Sequence, residues 1–338
     1  MKRRSLGRTG LSVSEICLGT MTFGSMADEK TAHHCLDVAF EAGVDFIDIA
    51  EVYPVPPDPQ TAGLSEEICG RWLAGRSRDE VIVATKVAGP SGGWFRGPVR
   101  GGHTALDRHN IERAVEASLR RLGTDYIDLY QTHWPDPVVP IEETLEALDR
   151  LVEEGKIRAV GCSNESAYGV MKSLWEADRR GTVRYETIQN NFSLLNRRFE
   201  DELAQVCRRE KLSCLPYSPI AAGVLSGKYQ GGAWPAGARF TRYREHDDRT
   251  KTMTRRFVSE RTLSVTARVH EIARGCGMSP VTFAVAWTLT RDFVGSTIIG
   301  VTSAAQLSEH LAAADAVIPR EALDACDLLA REIPYPMG

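Results

Sequence analysis

Ile141-Glu142-Glu143-Thr144-Leu145-Glu146-Ala147-Leu148-Asp149-Arg150-Leu151-Val152-Glu153-Glu154-Gly155-Lys156-Ile157-Arg158-Ala159-Val160-Gly161-Cys162 reads as a helix, a glycine stop and a buried strand in immediate succession. The same unit recurs on both sides. Asn110 to Arg121 sets Ile111, Val115, Ser118, Leu119 and Leu122 at helical spacing and stops at Gly123, before the strand Tyr126-Ile127-Asp128-Leu129-Tyr130. Thr31 to Glu41 ends at Ala42-Gly43, before Asp45-Phe46-Ile47-Asp48-Ile49. Further strands are expected at Ile16–Gly19, Val81–Lys86, Tyr185–Gln189, Leu212–Pro216 and Ser296–Gly300, and further helices at Phe199–Arg209, Val265–Arg274 and Ala304–Ala314. Several strands are apolar throughout, as strands covered on both faces must be. Eight strands alternating with helices predict an α/β fold, a (β/α)₈ TIM barrel. An open doubly wound sheet has the same local pattern.

Three irregular stretches interrupt the alternation: Pro54–Leu64, Ala88–His103 and Ser218–Thr254. Each follows the C-terminal end of a strand, where a barrel carries its functional loops. Arg4 to Val13 alternates around a glycine-containing turn and predicts a small hairpin before the barrel. No linker, repeat or low-complexity tract divides residues 1–338, so one domain is expected.

The 338 residues are 43% hydrophobic and 25% charged, which excludes a disordered chain. Lys+Arg 41 against Asp+Glu 45 gives a net charge of -4, so no large positive field draws the protein to nucleic acid or to an anionic membrane. No apolar run approaches the ~20 residues of a membrane span, and no apolar core follows the basic Met1–Arg8. The eight cysteines lie scattered, with no C-x-x-C pair and no zinc spacing. A cytoplasmic protein with reduced thiols and no metal is expected.

Four proton-handling residues stand at or just beyond expected strand ends. Asp48 lies in Phe46-Ile47-Asp48-Ile49-Ala50-Glu51-Val52-Tyr53, with Tyr53 on the following loop. Lys86 ends the next strand, and His133 follows the one after, in Gln131-Thr132-His133-Trp134-Pro135. Singly, each also suits a structural role: a capped loop, a wet phenol, a solvated amine, a packed imidazole. At consecutive strand ends of a barrel they meet at one rim. There an ammonium lowers the pKa of a phenol, a carboxylate holds the ammonium, and an imidazole hydrogen-bonds a substrate oxygen. Such a group can protonate a carbonyl oxygen as hydride reaches the carbon, which implies a nicotinamide. Yet no G-x-G-x-x-G follows the first strand, and the glycines of Gly275–Pro280 and Gly223–Lys228 fit neither that fingerprint nor a P-loop.

These strings resemble the aldo-keto reductases nearly end to end. Leu18-Gly19-Thr20-Met21-Thr22-Phe23-Gly24 matches the family's entry signature, and Asp48 to Tyr53 its Asp/Tyr motif, although threonine is usual where Ile49 stands. Tyr53-Pro54-Val55-Pro56-Pro57 and Tyr126 to Pro135 look closest to the bacterial Tas-type branch, which shares a likeness with the β subunits of voltage-gated potassium channels. The resemblance implies a barrel holding NADP(H) across its C-terminal rim, with Tyr53 as general acid/base, Lys86 and Asp48 as its tuning pair and His133 orienting the carbonyl. Thr20 and Met21 lie in the entry signature and count as cofactor positions, as does Asp48.

The resemblance also assigns the cofactor residues one by one. Ser163, Asn164 and Gln189 match the carboxamide contacts, and Tyr217 the ring that stacks on the nicotinamide. Ser218, Pro219, Ile220 and Gly223 match the pyrophosphate loop, and Lys228 and Arg239 phosphate contacts. Gly300, Thr302 and Gln306 match the adenosine-phosphate end, where a helix N-terminus is expected to add favourable charge. Glu309 fits the pattern, whereas His310 stands where asparagine is usual. Trp94, Phe95 and Trp134 are candidate walls of an apolar substrate pocket. The short stretch from Pro135 to Ile141 suggests an open site. The tail Pro334–Gly338 either covers the barrel or frays. The expected function is NADPH-dependent reduction of aldehydes or ketones to alcohols. A rival is an NADP(H)-binding regulatory or redox-sensing subunit with little turnover, and a second is a barrel isomerase or hydrolase using Lys86 and His133.

Overall fold

Two short strands open the chain. β1 (Arg3–Ser5) pairs antiparallel with β2 (Ser12–Ser14), forming the expected hairpin. Eight parallel strands follow: β3 (Ile16–Gly19), β4 (Phe46–Asp48), β5 (Ile82–Val87), β6 (Ile127–Thr132), β7 (Ile157–Ser163), β8 (Thr187–Gln189), β9 (Ser213–Cys214) and β10 (Thr297–Gly300). This is a computed structural model, and it describes residues 1–90, 99–102 and 104–337. The sheet order β10-β3-β4-β5-β6-β7-β8-β9 follows the chain and brings the last strand beside the first. Its two edges join: Gly295 N donates to Cys214 O at 2.8 Å and Ile298 N to Pro216 O at 2.9 Å. That closure makes a (β/α)₈ barrel and removes the doubly wound alternative.

Helices α1 (Glu29–Glu41), α2 (Leu64–Leu73), α3 (Arg108–Leu122), α4 (Ile141–Glu153), α5 (Ala167–Arg180) and α6 (Leu203–Glu210) each follow one strand. Asp28, Asp107 and Ser166 cap α1, α3 and α5 by accepting the free N–H of the first turn. Gly123 and Gly155, at φ +64° and +73°, end their helices in the left-handed region that glycine enters without strain. Between β9 and β10 lie α7 (Arg239–Tyr243), α8 (Asp248–Phe257), α9 (Glu260–Gly275) and α10 (Pro280–Leu289). α11 (Leu307–Leu311) and α12 (Arg320–Glu332) complete the chain.

Several expectations need correction. Ser218–Thr254 is not irregular throughout: it contains α7 and the first turns of α8, whose Asp247/Thr250 capping box marks a clear start. Phe199–Arg209 is not one helix but a 3₁₀ turn over Arg198–Glu200 followed by α6. Ala304–Ala314 likewise divides into a 3₁₀ turn, the short α11 and a second 3₁₀ turn. The helix N-terminus expected after Gly300 is therefore too short to gather a useful dipole.

Alternation along the strands sorts the barrel lumen into layers. Phe46, Ala84, Leu129, Ala159 and Leu215 pack with Leu6, Leu11 and Val13 of the hairpin, which plugs the lower end. Two residues further along their strands stand Asp48, Lys86, Gln131 and Gly161, so the layer above is polar. Arg4 ties the plug down by donating to Leu289 O at 2.9 Å and Val294 O at 3.0 Å. The rim opposite the plug remains open.

α2 and α3 pack closely at Gly70. A Cβ on Gly70 would lie 2.3 Å from Arg121 O and 2.9 Å from the Leu122 carbonyl carbon, both backbone atoms with nowhere to go. Gly70→Ala should cost about 1–2 kcal/mol of overpacking, although alanine is by itself the better helix former by ~1 kcal/mol. Urea unfolding measures this, and a stabilised variant would show that the helices part without cost.

Candidate active site

The rim opens into a cleft of ≈ 2200 Å³. Its floor is the polar layer. Lys86 is completely buried, and its Nζ donates to Asp48 Oδ2 at 2.6 Å and to Ile49 O at 2.6 Å. The other carboxylate oxygen of Asp48 accepts from Gln189 Nε2 at 2.8 Å and Gln131 Nε2 at 3.2 Å. The ammonium lies 5.0 Å from the centroid of the Tyr53 ring. Tyr53 sits against Ala50, Val52 and Ala88, with Met21, Val55, Val99 and Trp134 around them. His133 turns its ring edge-on to Tyr53 at 5.7 Å and stacks on Trp134 at 3.7 Å. The four expected reactive groups are thus in one place.

Burial sets their protonation. It pushes the Tyr53 phenol above its ordinary value, with Lys86 pulling the other way. The argument from sequence supplied only the ammonium's half of this balance. Burial also works against the charge on Lys86, but Asp48 and Tyr53 outweigh it and hold the amine above its usual pKa. Burial, then the charge of Lys86, drives His133 well below 6.5, so its imidazole is neutral. Its Nδ1 is buried without a hydrogen-bond partner among the described residues.

The next ring of residues braces this centre. Thr20 N donates to Asp48 O at 3.0 Å, and Met21 O accepts from Val55 N at 2.9 Å. Asn164, at φ +59°, donates from Nδ2 to His133 O at 2.9 Å and accepts the Tyr217 hydroxyl at 2.8 Å. Ser163 Oγ donates to Gln189 O at 2.8 Å. Tyr217 lines the cleft, its hydroxyl pushed up by burial to about 12.

Beyond it the chain makes a tight turn through Ser218, Ala221, Ala222 and Gly223, all at positive φ, with Pro219 and Ile220 also on the cleft wall. Lys228 crosses over Gly223, where a Cβ would meet its Cε at 2.6 Å. Burial, then the charge of Arg239, lowers the pKa of Lys228.

At the far end stand Gly300, Thr302, Gln306, Glu309 and His310. Gln306 Oε1 already accepts Thr302 N at 2.8 Å. His310 Nδ1 engages Gln306 O at 2.8 Å, while its Nε2 is buried and unpartnered. An orphaned polar atom at this end, a backbone cradle at Gly223 and two cations suit a long anionic dinucleotide. Trp134 is on the wall as expected. Trp94 and Phe95 lie outside the described residues.

Two contributors escaped the sequence reading. Gln131 shares the Asp48 carboxylate with Gln189, and alternation from Leu129 was the available signal. Glu51, buried beneath the rim, takes Arg100 at 2.6 Å and Ala88 N at 2.6 Å, tying the loop after β5 to the loop after β4. No local pattern announces a pair 49 residues apart.

Comparison with known proteins agrees with the barrel fold. The model of the Aldo/keto reductase family matches residues 15–331. Protein tas of Escherichia coli (strain K12) is 40% identical, over 99% of each chain. The uncharacterized oxidoreductase YrpG of Bacillus subtilis is 35% identical, over 96% of this chain and 94% of its own. A probable voltage-gated potassium channel subunit beta from Oryza sativa subsp. japonica is 33% identical, over 94% and 92%. The chain belongs to the aldo/keto reductase family.

Proposed function

We propose that this protein is an NADP(H)-dependent oxidoreductase (alcohol:NADP+ class) that reduces an aldehyde or ketone to the alcohol. The observation that carries the reading is the buried Lys86–Asp48 pair beneath Tyr53, with a neutral imidazole beside them. Bound NADPH would supply a hydride to the carbonyl carbon, held by Ser163, Asn164 and Gln189 at its carboxamide, Tyr217 at its ring and Lys228 and Arg239 at its phosphates. Thr20, Met21, Ser218, Pro219, Ile220 and Gly223, and the group Gly300, Thr302, Gln306, Glu309 and His310, would line the rest of that site.

The phenol of Tyr53, protonated at neutral pH, donates its proton to the carbonyl oxygen as negative charge develops there. The Lys86 ammonium stabilises the phenolate left behind, and Asp48 keeps that ammonium charged and in place. His133 offers a neutral ring nitrogen to the same oxygen and fixes its direction. In the reverse reaction the phenolate takes the proton back from the alcohol. The free thiols suit a reducing compartment, and we propose the cytoplasm.

The likeness to the rice channel subunit keeps a second reading open, a cofactor-holding sensor with little turnover. Tight NADPH binding with no turnover on a broad aldehyde panel would select it.

Tyr53→Phe keeps the ring and removes the proton. Reduction should fall at least about 100-fold while NADPH binding, read by tryptophan quenching, stays essentially unchanged. Retained turnover would remove Tyr53 from the reaction. The pH dependence has a definite sign: reduction needs the phenol protonated, so kcat/KM should fall as pH rises through the phenol's raised pKa. Lys86→Met deletes the charge that lowers that pKa, so the alkaline limb should move to higher pH and the maximum should drop. Full activity with an unmoved profile would reject the coupling.

A further inference from the structure

Six cations line the cleft without a carboxylate partner among the described residues: Arg198, Lys228, Arg239, Arg242, Arg249 and Arg256. Most arginines elsewhere are paired, as Arg121 is with Glu66 and Arg197 with Glu200. The acids of the same lining are largely committed to the protein itself. Asp136 accepts Leu106 N and Val138 N, Glu165 accepts Ser166 N, and Asp247 caps α8.

Two of the six are held at a particular place. Arg256 donates from Nε to Met337 O at 3.2 Å, which leaves both of its terminal nitrogens for a ligand. Arg198 lies over the Tyr335 ring at 4.7 Å, and the Tyr335 hydroxyl donates to Asp201 at 2.9 Å. Arg261 anchors the tail again through Pro334 O at 2.7 Å. The C-terminal tail, left as cover or fray by the sequence, is thus a brace in contact with two guanidinium groups of the cleft lining. Tyr217 lines the same cleft as Tyr53 and Arg256. A molecule with its carbonyl at Tyr53 lies in the cleft that Arg198 and Arg256 also line.

We propose that the substrate is an aldehyde or ketone bearing an oxyanion group, carboxylate or phosphate, remote from its carbonyl carbon, and that Arg256, with Arg198 on the same brace, receives that group. A guanidinium presents parallel N–H donors that match either oxyanion. The inference names the substrate class of the carbonyl-reduction site and rests on that reading. Arg198 and Arg256 are specificity residues and leave the proton transfer to Tyr53.

The test is calorimetric binding of three alcohols to the protein with saturating NADP+: para-(hydroxymethyl)benzoate, para-(hydroxymethyl)phenyl phosphate and the neutral methyl ester of the first. At least one anion should bind about fivefold tighter than the ester, the scale of an exposed ion pair. The preference should shrink at high salt and vanish in Arg256→Gln combined with Arg198→Gln, with melting temperature as the check on folding. Comparing the two anions separates carboxylate from phosphate. Equal binding of all three, or a preference that survives the double variant, overturns the proposal. So does an anion preference that NADP+ abolishes, because Arg256 then belongs to the cofactor. A preserved preference without turnover of any aldehyde removes the carbonyl-reduction reading and leaves the anion subsite standing.

Discussion

A full positive charge at the top of a barrel lumen is the condition on which the site depends. Taking an ammonium and a carboxylate out of water costs several kcal/mol each, and their attraction offsets this only when every remaining donor and acceptor is satisfied. Lys86 and Asp48 come near to that condition, with the Tyr53 phenol beside the remaining ammonium N–H. One carboxylate oxygen faces the ammonium, the other takes two side-chain amides, and the ammonium gains the carbonyl of Ile49. Gly161 contributes by what it lacks, since a Cβ there would stand 2.1 Å from Thr187 Oγ1 and 3.3 Å from the Gln131 side chain. The polar layer can therefore exist only above a well-sealed apolar one, and that is the service of the N-terminal hairpin.

The same burial acts oppositely on the groups around the pair. It raises the phenol, lowers the imidazole and would lower the amine if Asp48 were absent. Groups pushed in different directions by one environment can hold different protonation states at one pH. A protonated phenol, a charged amine and a neutral imidazole are the set that the proposed carbonyl reduction uses. Moving Asp48 out of the lumen would remove the main influence that holds the amine charged against its burial.

How much of this was legible follows from the range of each signal. The eight strands were readable because each is a short β-rich run bounded by polar or glycine punctuation. Closure was not, because it depends on β9 meeting the segment before β10, a contact between Cys214 and Phe293 that no local period encodes. α10 was missed because it is apolar on every face, so no 3.6-residue rhythm remains to detect. α8 was missed for the opposite reason: its short apolar face is submerged in charge. Chemistry at strand ends was readable for Asp48, Tyr53, Lys86 and His133 because their residue types are reactive in themselves. Gln131 is not, and only its contact with Asp48 makes it part of the site. The cofactor positions came from the family resemblance, since without a glycine fingerprint nothing in the residue spacing points to a dinucleotide.

Net charge is a poor guide to the cleft. A total of -4 describes an average over a surface where most cations are already paired. Among the described residues, the unpaired cations that line the cleft fall in the segment between β9 and α9 and in the turn after β8. Within that segment α7 buries Phe240 and Tyr243, and α8 Thr250, Thr254 and Phe257, which leaves their other positions free for charge. Loops with little packing duty are where charge can accumulate without disturbing the fold. The barrel thus separates its charges by depth: the lumen holds one buried ion pair, while the rim carries cations without a carboxylate partner among the described residues. Under the proposed reading, substitutions in that segment would change selection among substrates, and substitutions in the lumen layer would change whether any is turned over.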